Sequence, residues 1–248
     1  MELARSHVIR ERDHRIHDPF TPEKLATLGT AIRLRPGMSV LDLACGSGEM
    51  LCTWSRDHGV TGTGVDISTP FLRSARERAT ELGVSDRLSF VHGDASGFVA
   101  GEPVDVAACV GATWIGRGVE GTLALLERSL RPGGLLLVGE PFWRLDPPDQ
   151  AAVEGSGTSS REDFLDLPGL VESFGRLGWD LVEMVLADED GWDRYVAAQW
   201  FTVRAWLDEN PDDELAPAFR AELDTAPLAY VRYQRRYLGW GVFALKRR

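Results

Sequence analysis

The run VLDLACGSGEM, residues 40–50, joins a short apolar strand to a glycine turn and then to the start of a helix. Gly46 and Gly48 have no Cβ atoms, so the backbone at these positions can approach a ligand closely. The first turn of the following helix offers backbone N–H groups that have no partner within the helix. This junction therefore favours an α/β fold with a ligand at the end of the strand.

Short apolar strands alternate with helices on both sides of this junction. The predicted strands are 40–43, 62–66, 88–91, 104–110, 135–138, 181–186 and 240–245, and the predicted helices are 49–58, 68–83, 119–130 and 168–177. This alternation indicates a parallel sheet built from βαβ units. The nearly continuous apolar character of the early strands indicates that both faces of the sheet are buried.

Two segments fall outside the repeating unit. Residues 1–35 contain a helix that should begin at Thr21-Pro22, and residues 188–238 are predicted to be a helical insertion before the last strand. Asn210-Pro211 is expected to begin a further helix within this insertion, and residues 141–161 are predicted to be a long loop. One helical stripe of the insertion is apolar and contains Trp192, Val196, Trp200, Val203 and Leu207.

Composition limits the class of protein and its partners. The 248 residues, 44% of them hydrophobic, suit a single globular domain over residues 1–248. No apolar run approaches the ~18 residues that span a bilayer, and the charged amino-terminal stretch lacks the apolar region of a signal peptide. Three cysteines without metal-ligand spacing predict reduced thiols and no metal site. We therefore expect a cytoplasmic monomer or homodimer, and the net charge of -11 disfavours nucleic acid as a partner.

The glycine turn alone fits two classes of cofactor. Leu51 stands where a dinucleotide fingerprint has its third glycine, and Asp42 in the strand would repel a pyrophosphate. Asp42 suits instead the cationic amino group of S-adenosylmethionine. Asp66, in GVDIS, can accept hydrogen bonds from ribose hydroxyls in either class, and Asp94, in HGDA, is placed to accept from an adenine amino group. An NAD(P)-dependent oxidoreductase and a non-catalytic S-adenosylmethionine-binding protein remain the alternatives.

Four motifs in order, VLDLACGSG, GVDIS, HGDA and RPGGLLLVGEP, resemble those of class I S-adenosylmethionine-dependent methyltransferases over about residues 36–140. The similarity is to the small-molecule branch with ubiquinone-biosynthesis and cyclopropane-synthase-like members. It implies a Rossmann-like, doubly wound, mostly parallel seven-stranded sheet with the last strand antiparallel, formed by residues 36–187 and 239–248. The first glycine of the family's triplet is replaced here by an alanine. The implied cofactor site contains Asp42, Ala44, Gly46, Gly48, Asp66, Ile67, Asp94, Ala95 and Val110, with Gly111 beside it.

The acceptor is expected at the carboxyl ends of the strands, where open α/β sheets bind ligands. Aromatic residues in and near this region are candidates for the acceptor pocket: Trp114, Phe142, Trp143 and Trp192. The candidate general bases are Glu140, Tyr195 and His17, of which Glu140 is best placed because it should follow the fifth strand. We expect a small-molecule acceptor under a lid formed by residues 1–20 and 188–238. A dimer surface on the Trp192–Leu207 stripe is the alternative.

Overall fold

The computed structural model describes residues 2–248 and contains one seven-stranded sheet with the strand order β3-β2-β1-β4-β5-β7-β6. The strands are β1 (Ser39–Leu43), β2 (Thr61–Asp66), β3 (Leu88–His92), β4 (Val104–Val110), β5 (Leu130–Trp143), β6 (Trp179–Leu186) and β7 (Leu238–Arg247). Strands β1 to β5 pair in parallel, and β7 is antiparallel to both β5 and β6. The predicted Rossmann-like sheet with an antiparallel last strand is confirmed.

Helices cover both faces of the sheet. They are α1 (Arg5–Glu11), α2 (Pro22–Ala31), α3 (Glu49–His58), α4 (Thr69–Glu81), α5 (Val119–Glu127), α6 (Gln150–Gly155), α7 (Leu167–Arg176), α8 (Glu189–Glu209), α9 (Ala216–Ala229) and α10 (Arg235–Tyr237). On one face, Leu41 of β1 shares a core with residues of α5 and α7, and on the other face Val40 packs with α2 and α3. Successive residues of a strand point to opposite faces, so one short apolar run serves both cores.

Local capping signals begin and end the helices that support the site. The Thr21 side chain accepts a hydrogen bond from the backbone N–H of Lys24 at the start of α2, and Ser68 does the same for Phe71 in α4. Gly59 ends α3 in the left-handed conformation. These helix positions were predictable because each signal lies within a few residues of the terminus that it stabilises.

Two predictions about element boundaries were wrong. Strand β5 continues to Trp143, so Glu140 lies inside the strand instead of following it, and residues 141–143 are not in a loop; Glu140 is paired with Gly241 of β7. Pairing with β7 extends β5 beyond its predicted end. Helix α6 lies within the predicted loop 141–161, so that loop is shorter than expected. Helix α9 begins at Ala216, five residues after Pro211, since Asp213 caps a turn by accepting from the Leu215 N–H.

The insertion packs against the chain's own amino-terminal helix. Ile9 of α1 is buried with Val203 and Leu207 of α8 and with Phe219 of α9. Most of the apolar α8 stripe is therefore covered within the chain, which contradicts the alternative of a dimer surface there. Within residues 2–248 we find no helix apolar and long enough to cross a bilayer, and no cluster of three metal-ligating side chains.

Candidate functional site

A cavity of about 470 Å³ lies at the carboxyl ends of β1, β2 and β4. Its wall brings together most of the residues that the sequence assigned to a cofactor, and also part of the amino-terminal segment. The predicted residues on the wall are His17, Asp42, Ala44, Gly46, Asp66, Ile67, Asp94, Ala95, Val110, Gly111 and Trp114. The sheet edge therefore holds a single shared site, as expected for ligands of open α/β folds.

The turn after β1 uses left-handed backbone at Ala44, Gly46 and Gly48, with φ values of 60°, 53° and 67°. A Cβ atom on Gly46 would lie 2.8 Å from the His17 Nδ1 atom. A Cβ atom on Gly48 would lie 2.8 Å from the side chains of Ala75 and Phe90. Gly48 is not on the cavity wall. Its lack of a side chain lets the start of α3 pack closely against Ala75 and Phe90.

Asp66 joins the end of β2 to this turn. Its carboxylate oxygens accept hydrogen bonds from the backbone N–H groups of Gly46, at 2.9 Å, and of Ser68, at 2.8 Å. The side chain is buried, and burial raises the pKa of its carboxyl group. Asp66 therefore fixes the position of the glycine turn and also presents a carboxylate to the cavity.

Three carboxyl groups crowd one part of the cavity. Asp42 is buried and makes no side-chain hydrogen bond or ion pair with residues 2–248. Burial, together with the neighbouring Asp66 and Asp18, raises the pKa of Asp42 well above its ordinary value. Burial also raises the pKa of Asp18 to about 7. A cationic ligand would offset this repulsion, so the residues fit a ligand with a positive group at this end.

His17 covers the glycine turn from the amino-terminal side. Its Nε2 atom lies 3.0 Å from the Ser47 hydroxyl oxygen, and its ring packs edge-on against Phe71 with 4.4 Å between the ring centres. Burial lowers the pKa of His17 to about 4, which keeps the imidazole neutral near pH 7. The amino-terminal segment, residues 2–20, thus forms one side of the site.

Two of the predicted general bases lie off the cavity wall. Glu140 is buried, and its Oε2 atom accepts a hydrogen bond of 2.7 Å from the Thr113 hydroxyl group. Burial raises the pKa of Glu140 to about 7. Tyr195 donates from its hydroxyl group to the Glu11 carboxylate at 3.0 Å and to the His17 carbonyl oxygen at 3.2 Å. Both residues support segments of the wall from behind.

Three of the four predicted acceptor-pocket aromatics also lie elsewhere. Phe142 packs in the core beside Phe243, and Trp143 is buried while its indole N–H donates to the Arg161 carbonyl oxygen at 2.7 Å. Trp192 packs against two core clusters under the insertion. Their positions follow from the extended β5 and from the packing of α8. Of the four, only Trp114 is on the wall.

The prediction missed Asp18 and Arg117, which both line the cavity. Asp18 lies between α1 and α2, outside any strand or helix, so its sequence position did not place it relative to the sheet. Arg117 did carry a signal, because it follows the fourth strand closely in VGATWIGRG. The end of that strand leads directly into the site.

Residues 40–134 match the family model for a methyltransferase domain. The structure of an S-adenosylmethionine-dependent methyltransferase from Geobacter sulfurreducens, in complex with S-adenosyl-L-homocysteine, is 62% identical to this chain. It superposes with a TM-score of 0.98 over 100% of this chain and 99% of that one. This chain belongs to the S-adenosylmethionine-dependent methyltransferases.

This methyltransferase is also 58% identical to the uncharacterized protein YjhP of Escherichia coli strain K12, over 99% of both chains. It is 32% identical over 130 residues to the ubiquinone/menaquinone biosynthesis C-methyltransferase UbiE of Shewanella pealeana, which is 51% of this chain and 49% of UbiE. The predicted enzyme class and its cofactor, S-adenosylmethionine, are confirmed. The oxidoreductase alternative is wrong.

Proposed function

We propose that this methyltransferase works in the cytoplasm and methylates a small molecule inside the cavity at the sheet edge. The observation that carries this proposal is the small size of the cavity, which the amino-terminal segment partly covers. Donor and acceptor would have to share about 470 Å³, and residues 15–18 form part of its wall. That volume is typical of small-molecule sites. The net charge of -11 further opposes a nucleic-acid acceptor.

The cofactor would lie along the carboxyl ends of β1, β2 and β3, in or just after which Asp42, Asp66 and Asp94 lie. S-adenosylmethionine supplies a methyl group on a cationic sulfonium. We infer that Asp42 and the glycine turn hold its methionine end, and that Asp66 accepts from the ribose. Asp94 lines the cavity beside Ala95 and uses one carboxylate oxygen to accept from the Ser96 N–H at 2.8 Å, so its other oxygen would be available to the adenine amino group.

The segment 2–20 would act as a lid, and the insertion would hold it. Leu3, His7 and residues 15–18 line the cavity, whereas no residue of 188–238 does. The insertion contacts the segment from outside, through ion pairs such as Arg5 with Asp213 at 2.6 Å and through the buried cluster around Ile9. Residues 36–187 and 239–248 would form the catalytic core. A closed lid excludes water and keeps donor and acceptor aligned.

Asp18 is the best-placed group to take a proton from an acceptor that arrives protonated. Its Cβ atom lies beside Gly111, at the start of the loop that follows β4. With its pKa raised to about 7, its carboxylate matches the pH at which a general base works best. His17, with a pKa of about 4, is a weaker base, and Glu140 does not reach the wall.

Transfer of a radioactive methyl group tests the proposal. The purified enzyme is incubated with labelled S-adenosylmethionine and a cell extract that has been separated into small molecules, proteins and nucleic acids. We expect label in the small-molecule fraction, and Asp42→Asn should strongly reduce it at a subsaturating concentration of S-adenosylmethionine. Label confined to the protein or nucleic-acid fraction would contradict a small acceptor.

A further inference from the structure

The loop between β4 and α5 is held rigidly at the mouth of the cavity. The Thr113 hydroxyl donates to Glu140, and the Thr122 hydroxyl donates to the carbonyl oxygens of Thr113, at 2.9 Å, and of Gly118, at 2.8 Å. The loop also packs without spare room, because a Cβ atom on Gly116 would overlap the Thr122 nitrogen. The backbone of this loop is therefore held in a fixed position.

Two residues of this loop, Trp114 and Arg117, are in energetically unfavourable arrangements. Trp114 lines the cavity and yet is 68% exposed. Arg117 also lines the cavity, and its φ of 61° is left-handed, a conformation that glycine adopts more readily than arginine. The Arg117 side chain makes no hydrogen bond or ion pair with residues 2–248. Such strain and exposure on a rigid element are typical of a binding function.

The charges of the cavity wall leave only one region for an anion. Acidic side chains dominate the wall: Asp18, Asp42, Asp66 and Asp94, together with Glu49, which is already paired with Arg78 at 2.8 Å. Its two arginines differ, because Arg15 lies 3.3 Å from Glu81 whereas Arg117 has no acidic partner within residues 2–248. An anionic group would be repelled near Asp42 and attracted near Arg117.

We propose that the methyl acceptor is a small aromatic carboxylate, with its ring against Trp114 and its carboxylate paired with Arg117. This inference rests on the proposed function, since it assumes a small acceptor in this cavity. The indole offers a flat apolar surface for a ring, and Ile115 on the same loop adds an apolar contact. The guanidinium can bind a carboxylate through two parallel hydrogen bonds. The charged end of the acceptor then stays away from the carboxyl groups that suit the donor.

Two probes of nearly equal shape test the proposal. Indole-3-acetate and its neutral amide, indole-3-acetamide, are titrated by calorimetry into enzyme saturated with S-adenosylhomocysteine, and also into the free enzyme. We expect the carboxylate to bind about tenfold more tightly than the amide. Arg117→Gln should remove this preference, and Trp114→Ala should weaken both probes to a similar extent. The matched control is Arg128→Gln, since Arg128 is also exposed and unpaired within residues 2–248 but lies off the cavity wall.

The variant Arg117→Gly separates binding from folding. Because glycine suits the left-handed backbone, this variant should raise the melting temperature by about 2 °C while it abolishes the preference for the carboxylate. A lower melting temperature with the preference intact would assign Arg117 a structural role. Equal binding of the two probes by the wild-type enzyme would overturn the inference. Failure of the proposed function would be seen separately, as methyl label confined to the protein or nucleic-acid fraction, and the titrations of the free enzyme would still test the acceptor site.

Discussion

The Nε2 atom of His17 lies 3.0 Å from the Ser47 hydroxyl oxygen, so the amino-terminal segment contacts the glycine turn directly. The absence of a side chain at Gly46 makes room for the imidazole, since a Cβ atom there would lie 2.8 Å from its Nδ1 atom. The same turn is tied to β2 through Asp66. We therefore expect cofactor binding and the position of the segment to be coupled.

The first prediction concerns this contact. His17→Ala should loosen residues 8–20 and weaken S-adenosylhomocysteine binding by about three- to tenfold, because one hydrogen bond and the ring packing on Phe71 are lost. Hydrogen exchange of residues 8–20, with and without ligand, measures the loosening. His17→Gln can still hydrogen-bond to Ser47. Its exchange rates and its affinity should therefore lie between those of the wild type and those of His17→Ala. Exchange rates unchanged in His17→Ala would show that the segment is held without this contact.

The second prediction separates a positioning role from a catalytic role for Tyr195. Tyr195→Phe removes the hydroxyl that donates to Glu11, whose side chain is buried. The loss of one hydrogen bond to a buried acceptor should cost about 1–3 kcal/mol of unfolding free energy. Thermal or urea unfolding measures this cost, and turnover per folded molecule should change little because Tyr195 is off the cavity wall. A large loss of turnover at unchanged stability would restore Tyr195 to the chemistry.

The third prediction concerns Glu140 and pH. Burial raises the pKa of Glu140 from 4.5 to about 7. Between these two pH values the Glu140 carboxyl group is ionised in the unfolded chain but stays protonated in the folded protein. The wild type should therefore lose stability relative to Glu140→Gln as the pH rises from about 4.5 to about 7, by up to roughly 3 kcal/mol. Melting temperatures of both proteins across this range measure the difference. A constant difference would mean that Glu140 ionises normally in the folded state.

The fourth prediction concerns Asp18 and cofactor affinity. Below its pKa of about 7, Asp18 is protonated and neutral, and above it the carboxylate attracts a cation. Affinity for S-adenosylmethionine should thus increase by up to about fivefold between about pH 6 and about pH 7.5, with proton release on binding. Calorimetry in buffers with different ionisation enthalpies measures both effects. Asp18→Asn should flatten this pH dependence, and a steep profile in that variant would assign it to another group.

Local sequence signals could place one half of the candidate site at the sheet edge. Strand β1, the glycine turn and helix α3 follow one another within about twenty residues, and their apolar run, glycines and capping residues are all adjacent in the chain. Asp42 and Asp66 could be placed because each lies in or at the end of such a strand.

The other half depends on partners that are distant in the chain. Glu140 and Trp143 lie inside β5 because β7, about one hundred residues later, pairs with that stretch. Asp18 reaches the cavity because α8 and α9 hold the amino-terminal helix in place. No local pattern indicates such contacts, so the sequence alone could not place the residues of this half of the candidate site.

The most direct test of this account is the calorimetric titration of S-adenosylhomocysteine into the wild type and Asp42→Asn. Asp42 is buried on the cavity wall without a protein partner among residues 2–248, and it would face the ligand's amino group. We predict one site with micromolar affinity in the wild type, weakened about ten- to one-hundredfold in Asp42→Asn. The control, Asp224→Asn on an exposed residue of α9, should bind like the wild type. Equal affinity of Asp42→Asn and the wild type would contradict the placement of the cofactor.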